Sequence, residues 1–161
     1  MTTIPGSRTD LAEPALAELA PHRAPVLVSS LSSDSHTWNL VFLQLLIEEV
    51  GHPVRNLGAC VPDELLLEEA MRLRPELIVL STVNGHGYRD GLRVAGLLRR
   101  HLCVRESILV IGGKLGVAGP LGRDQVDDLL RAGFDAVFDD GPDGVAEFGT
   151  LVAQLGAGRQ P

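Results

Sequence analysis

The chain has 161 residues, the size of one compact domain, and this leaves no room for a second catalytic domain. Hydrophobic residues make up 45% and charged residues 22%, which excludes a disordered or fibrous chain. Twenty-one acidic against fourteen basic residues give a formal charge of −7, an acidic surface that argues against a nucleic-acid partner.

Met1–Pro25 mixes proline, acids and alanine without a usable apolar face and is expected to be a flexible extension. Val26–Leu31 is a nearly continuous apolar run, as expected of a strand buried on both faces. Leu40, Leu43, Ile47 and Val50 then recur at helical spacing, and Gly51 stands where a residue of positive φ closes a helix. A weaker strand, Val54–Leu57, precedes a helix carrying Leu66, Ala70 and Leu73. Leu77–Leu80 is the second continuous apolar run, followed by a helix with Leu92, Ala95, Leu98 and Leu102 on one face. The third run, Ile108–Ile111, leads to a helix over Asp124–Ala132, stopped by Gly133. Ala136–Phe138 and a helix over Asp143–Leu155 complete five βα units, and Gly156–Pro161 is expected to be a flexible tail. The fold expected for 26–155 is α/β: a doubly wound five-stranded parallel sheet, flavodoxin-like, in the order 2-1-3-4-5.

Aromatics are only 4%, so the core falls to Leu, Val, Ile and Ala. Cys60 and Cys103 have no CxxC or Cys/His pairing and are read as structural, suggesting neither a disulfide framework nor a zinc site. There is no export signal and no run of 18 apolar residues. A cytoplasmic protein with no membrane partner is expected.

In a sheet of this kind, ligands sit beyond the carboxyl ends of the strands, where the strand order reverses. The loops there read Ser32-Ser33-Asp34-Ser35-His36-Thr37-Trp38-Asn39, Ser81-Thr82-Val83-Asn84-Gly85-His86-Gly87 and Gly112-Gly113-Lys114-Leu115-Gly116-Val117-Ala118-Gly119. A P-loop is excluded, because Ile108 and Leu115 occupy positions that need Gly and Ser or Thr around Gly113-Lys114. No GxGxxG follows the first strand, and Ser81 ends the third where a phospho-receiver has Asp. Flavin mononucleotide remains a minor option, with Trp38 and Tyr88 the only Trp and Tyr available to sandwich it.

Asp34-x-His36 has a specific use. A metal-ligating imidazole almost always gives its second N–H to a carboxylate, which fixes the tautomer and makes the free nitrogen a better donor. With no other His/Cys/Asp cluster near, the metal would bring most of its own ligands, as in haem or a corrinoid. The plain alternative makes Asp34 a helix N-cap and His36 a first-turn surface residue.

Ser33-Asp34-Ser35-His36, Ser81-Thr82-Val83-Asn84-Gly85-His86-Gly87 and Val110-Ile111-Gly112-Gly113-Lys114 resemble segments of the cobalamin-binding small subunits of the glutamate mutase (methylaspartate mutase) family. Their pattern is DxHxxG, SxL and Gly-Gly on successive loops, and the resemblance spans Val26 to Leu155. It implies that adenosylcobalamin is bound by Ser33, Asp34, Ser35, His36, Thr37, Ser81, Thr82, Val83, Gly112, Gly113, Lys114, Leu115, Gly116, Val117 and Ala118. His36 would replace the dimethylbenzimidazole as axial cobalt ligand, with Asp34 behind it. Ser81 would hydrogen-bond the displaced base, Val83 would line its slot, and Gly112 and Gly113 would leave room for the tail. Lys114–Ala118 would complete the wall. Asn39 departs from the pattern's Gly and Val83 from its Leu.

The resemblance further implies a role as one component of a carbon-skeleton isomerase, such as that converting glutamate to 3-methylaspartate. A separate large catalytic subunit would enclose the substrate. The alternatives are a corrinoid carrier for methyl transfer, which usually has a helical bundle before this domain, and a non-catalytic flavodoxin-like module with a degenerate site. Trp38 could meet the corrin edge or cap the domain, and His86 is expected to be a solvent-exposed loop residue.

Overall fold

A computed structural model describes residues 24–155, so the expected extensions lie outside the described residues apart from Ala24 and Pro25. Strands and helices alternate: β1 (Val26–Ser29), α1 (Trp38–Glu49), β2 (Val54–Asn56), α2 (Asp63–Leu73), β3 (Leu77–Thr82), α3 (Gly87–Arg99), β4 (Ile108–Gly113), α4 (Arg123–Ala132), β5 (Ala136–Phe138) and α5 (Pro142–Gln154). The five strands pair in parallel in the order β2-β1-β3-β4-β5, as the sequence predicts.

Period-two alternation sorts each strand's apolar residues onto two faces. Val26, Val28, Leu77, Val79 and Val110 pack under Leu40 and Ile47 of α1 and Phe148 and Val152 of α5. Leu27, Ile78, Leu80, Leu109 and Ile111 pack under α2, α3 and α4, through Leu66, Ala70, Val94, Ala95, Leu98 and Leu129. Three helices therefore cover one face and two cover the other. Burying each such aliphatic side chain contributes about 1.5–3 kcal/mol.

Gly51 and Gly133 have φ of 92° and 129° and close α1 and α4 as expected. The Gly133 carbonyl, at the end of α4, accepts from Arg99 Nε at 2.8 Å. The third helix is shorter than its periodicity predicts. It ends at Arg99, and residues 101–107 return to β4 through successive turns, His101 N–H to Leu98, Val104 N–H to His101 and Ser107 N–H to Val104. These turns point Val104 inward and leave Leu102 80% exposed. Cys60 is exposed with φ of 51° and Cys103 is half-buried; both are free thiols. The outer side of α1 exposes Trp38, Val41, Phe42 and Leu45. Among the described residues no helix is long and apolar enough to cross a membrane.

Candidate functional site

After β1 the chain turns sharply. The Asp34 N–H donates to the Leu31 carbonyl at 3.1 Å, and the Asp34 carbonyl accepts from Cys60 N–H at 2.8 Å. This holds the Asp34 side chain fully buried beneath the loop. Its Oδ2 accepts from the Thr82 hydroxyl and the Val83 N–H, both at 2.7 Å, while Oδ1 accepts from the His36 N–H at 3.0 Å. His36 Nδ1 lies 2.6 Å from the same Oδ1. One carboxylate thus ties the loop after β1 to the end of β3, the neighbouring strand at the reversal of strand order. Burial alone would raise its pKa, but the backbone N–H groups of His36 and Val83, with the Thr82 hydroxyl and the His36 ring, bring it down to about 2.

An ionised Asp34 fixes the hydrogen of His36 on Nδ1, which leaves Nε2 as the ring's lone-pair nitrogen. The ring is half exposed, at 50%. Asp34 is not an N-cap: α1 begins at Trp38, its N-cap residue is Thr37, and no side chain caps it. Among the described residues no three or more His, Cys, Asp or Glu side chains gather to hold a metal. His36 can therefore supply one axial ligand to a metal whose other positions are already filled.

Ser33 does separate work. Its hydroxyl donates to Asp90 Oδ2 at 2.5 Å, and Asn84 Nδ2 donates to the Ser33 carbonyl at 2.9 Å. Arg93 bridges Asp90 and Asp63 at 2.7 Å each, fastening α3 to α2. Burial of Asp90 works against ionisation, yet the Ser33 hydroxyl and the Arg93 guanidinium hold its carboxyl below the usual carboxylate range. Ser35 is exposed, and His86 is exposed at the N-terminus of α3, as expected.

An apolar cleft of about 290 Å³, lined from Trp38 and Asn39 at the start of α1, opens between α1 and α5 over β3 and β4. Ser81, Val83, Gly112 and Gly113 line it, four of the residues singled out from the sequence. Trp38, weighed in the sequence as a corrin-edge contact or a cap, lines it too, and so do Phe42, Phe138, Val145 and Phe148, which the sequence did not mark as site residues. Strand order 2-1-3-4-5 was the available signal, since it places α1 and α5 together on one face. Phe138 and Phe148 meet edge-to-face at 5.6 Å and form the wall beside β5.

Gly113 has a backbone requirement of its own. Its φ is 109°, and a Cβ there would sit 2.1 Å from the Thr82 carbonyl oxygen, so the close approach of β3 itself demands glycine. At Gly112 a Cβ would lie 3.3 Å from Phe138, a tight contact on the cleft wall. The Lys114–Ala118 loop lies outside this cleft. Leu115 is buried in the core on the opposite face, while Lys114, Val117 and Ala118 are exposed and Gly116 is half-buried. This loop instead clasps the loop after β3: the Gly85 N–H donates to the Lys114 carbonyl and the Tyr88 N–H to Leu115, each at 3.1 Å.

Asn39, the departure from the motif, is 5% exposed on the first turn of α1 and donates from Nδ2 to Ser81 Oγ at 2.8 Å. The extra side chain is directed at the very hydroxyl the motif provides.

A model of the B12-binding domain family matches residues 24–149. The glutamate mutase sigma subunit of Fusobacterium nucleatum is 24% identical over 120 residues, 72% of this chain and 85% of the relative. That of Carboxydothermus hydrogenoformans is 27% identical over 119 residues, 72% of this chain and 84% of the relative. Among solved structures, a cobalamin-binding protein from Desulfitobacterium hafniense aligns with a TM-score of 0.64 at 18% identity, over 81% of this chain and 60% of its own. The monomethylamine corrinoid protein of Methanosarcina barkeri aligns with a TM-score of 0.64 at 17% identity, over 83% of this chain and 58% of its own. These two likenesses bear on the fold. The family match covers most of the chain, which therefore belongs to the B12-binding domain family.

Proposed function

We propose that this chain is the cofactor-holding component of a two-component carbon-skeleton mutase of the glutamate mutase kind, binding adenosylcobalamin base-off with His36 on cobalt. The observation that carries the reading is the ionised, buried Asp34 set against His36 Nδ1 at 2.6 Å, which leaves Nε2 free at the ligand edge of the sheet. The residues fit the group: one prepared imidazole suits a cobalt already held by a corrin, and the apolar cleft of about 290 Å³ between α1 and α5 suits a displaced nucleotide tail. Relatives named as glutamate mutase sigma subunits support the choice of mutase over methyl carrier.

The chemistry supplied at this site by bound adenosylcobalamin would be that of a carbon-centred radical. This chain's own residues bind and orient. Asp34 fixes the tautomer of His36, Ser81 meets the base in the cleft, Val83 and Gly112 line its passage, and Phe138 and Phe148 exclude water from it. The clasped loops Val83–Gly87 and Lys114–Gly119 form with His36 an edge that faces a large catalytic subunit, which encloses the substrate.

Electron paramagnetic resonance of the cob(II)alamin-loaded protein tests the assignment. Labelling the histidine rings with ¹⁵N should convert the axial-nitrogen triplet to a doublet, and His36→Ala should abolish it. A triplet unchanged by both would remove His36 from this role. Partner affinity should rise when the cofactor is bound.

A further inference from the structure

Besides Asp139 and Asp140, the cleft is lined by a polar pair, Asn39 and Ser81, whose chemistry the role given to Ser81 leaves open. Asn39 is 5% exposed, and its Nδ2 is spent on Ser81 Oγ at 2.8 Å. Its Oδ1 is buried and receives no donor from the described residues. Both residues line a cleft whose other walls are mostly apolar, including Phe42, Val79 and Phe148. A buried acceptor left unmade is destabilising, a cost that a leucine at this position would avoid. Ser81, having accepted from Asn39, keeps its own hydroxyl hydrogen to donate. The pair therefore offers an entering group an acceptor and a donor side by side.

Resting on the cobalamin reading above, we propose that Asn39, acting with Ser81, selects the nucleotide base that enters the cleft. It favours a base that places an amino donor beside a ring-nitrogen acceptor, as adenine does, over 5,6-dimethylbenzimidazole. Both bases are flat, fused bicycles, so hydrogen bonding and not volume must sort them. Dimethylbenzimidazole offers a ring nitrogen to the Ser81 hydroxyl but nothing to the Asn39 carbonyl, whereas adenine satisfies both. In nucleic-acid recognition an asparagine amide supplies both the acceptor and the donor to the adenine edge; here Ser81 takes over the donor's part, because Asn39 Nδ2 is spent on it. Sites built around a hydrogen bond reject analogues lacking it far more strongly than apolar pockets reject a missing methylene.

The test measures binding to the full chain of three corrinoids: cobalamin, its adenine-tailed analogue and tail-less cobinamide, by visible spectroscopy and calorimetry. The wild type should bind the adenine-tailed form about tenfold more tightly than cobalamin, as expected for one recovered hydrogen bond of about 1.4 kcal/mol. In Asn39→Gly and Asn39→Leu, checked for folding by circular dichroism, the two tailed forms should bind within about twofold of each other while the His36 coordination spectrum persists. No preference in the wild type, or a preference that survives in folded Asn39→Gly, overturns base selection and leaves the cobalamin reading intact. If neither tailed corrinoid binds more tightly than cobinamide and none shows histidine coordination, the cobalamin reading fails and base selection falls with it.

Discussion

Replacing Asp34 with asparagine keeps its volume and removes its charge. The carboxylate accepts from two donors on each oxygen, with Val83 N–H and Thr82 on one side and His36 N–H and Nδ1 on the other. An amide has one oxygen, so its NH₂ must face either the Val83 or the His36 backbone N–H. That orphans a buried donor at about 1–3 kcal/mol. The depressed pKa of Asp34 expresses the same interactions a second way. Lowering the group from its ordinary 3.8 to about 2 corresponds to about 2.5 kcal/mol at ~1.4 kcal/mol per pH unit. Because the folded-state pKa is depressed, this stability is fully present above the unfolded value and disappears as pH falls through the folded one. The linkage relation leaves about 1.3 kcal/mol at pH 3. Urea unfolding of wild type and Asp34→Asn, followed by circular dichroism from pH 7 to pH 3, should give a gap of about 2–3 kcal/mol that is flat above pH 5 and roughly halves by pH 3. A gap near zero at pH 7, or one independent of pH, would refute the account of Asp34.

Gly113→Ala places a Cβ 2.1 Å from the Thr82 carbonyl oxygen at φ of 109°, so it should lose about 3 kcal/mol or more in thermal or chemical unfolding. Gly112→Ala meets Phe138 at 3.3 Å and should lose only about 1 kcal/mol. Phe148→Ala removes a ring that is 4% exposed and stacks on Phe138, and should cost about 3–4 kcal/mol by the same assay. In the neutral ring, ¹⁵N shifts of His36 should report the hydrogen on Nδ1, and Asp34→Asn should allow it on Nε2; equal shifts in the two proteins would contradict tautomer control.

Val26–Ser29, Leu77–Thr82 and Ile108–Gly113 were legible because strands covered on both faces must be nearly continuously apolar. The Leu102 error has a local cause: helical spacing persists in the sequence past the point where successive turns bend the chain toward β4. Asp34 and His36 were legible because a ligating imidazole wants a carboxylate on its second N–H, and the two stand in the order and spacing of the DxH pattern. The far wall of the cleft was hidden because Phe138 and Phe148 come from a three-residue strand and the last described helix, with no motif between them. Sequence shows a glycine at 113 but not which requirement put it there, tail clearance or the approach of Thr82. The meeting of Asn39 with Ser81 joins residues 42 positions apart and has no signature of its own.

Covering one face with three helices and the other with two leaves the seam between α1 and α5 thinly filled. Whatever occupies that seam behaves as a detachable piece of core. Occupancy at a hundred times the dissociation constant adds about 2.7 kcal/mol to folding stability through mass action alone. Steps of 1–2 kcal/mol are enough to change cellular abundance several-fold through chaperone and protease surveillance. Under the proposed function, the amount of this protein in a cell would follow the supply of its cofactor without any dedicated regulator, because the empty form is turned over faster than the filled one.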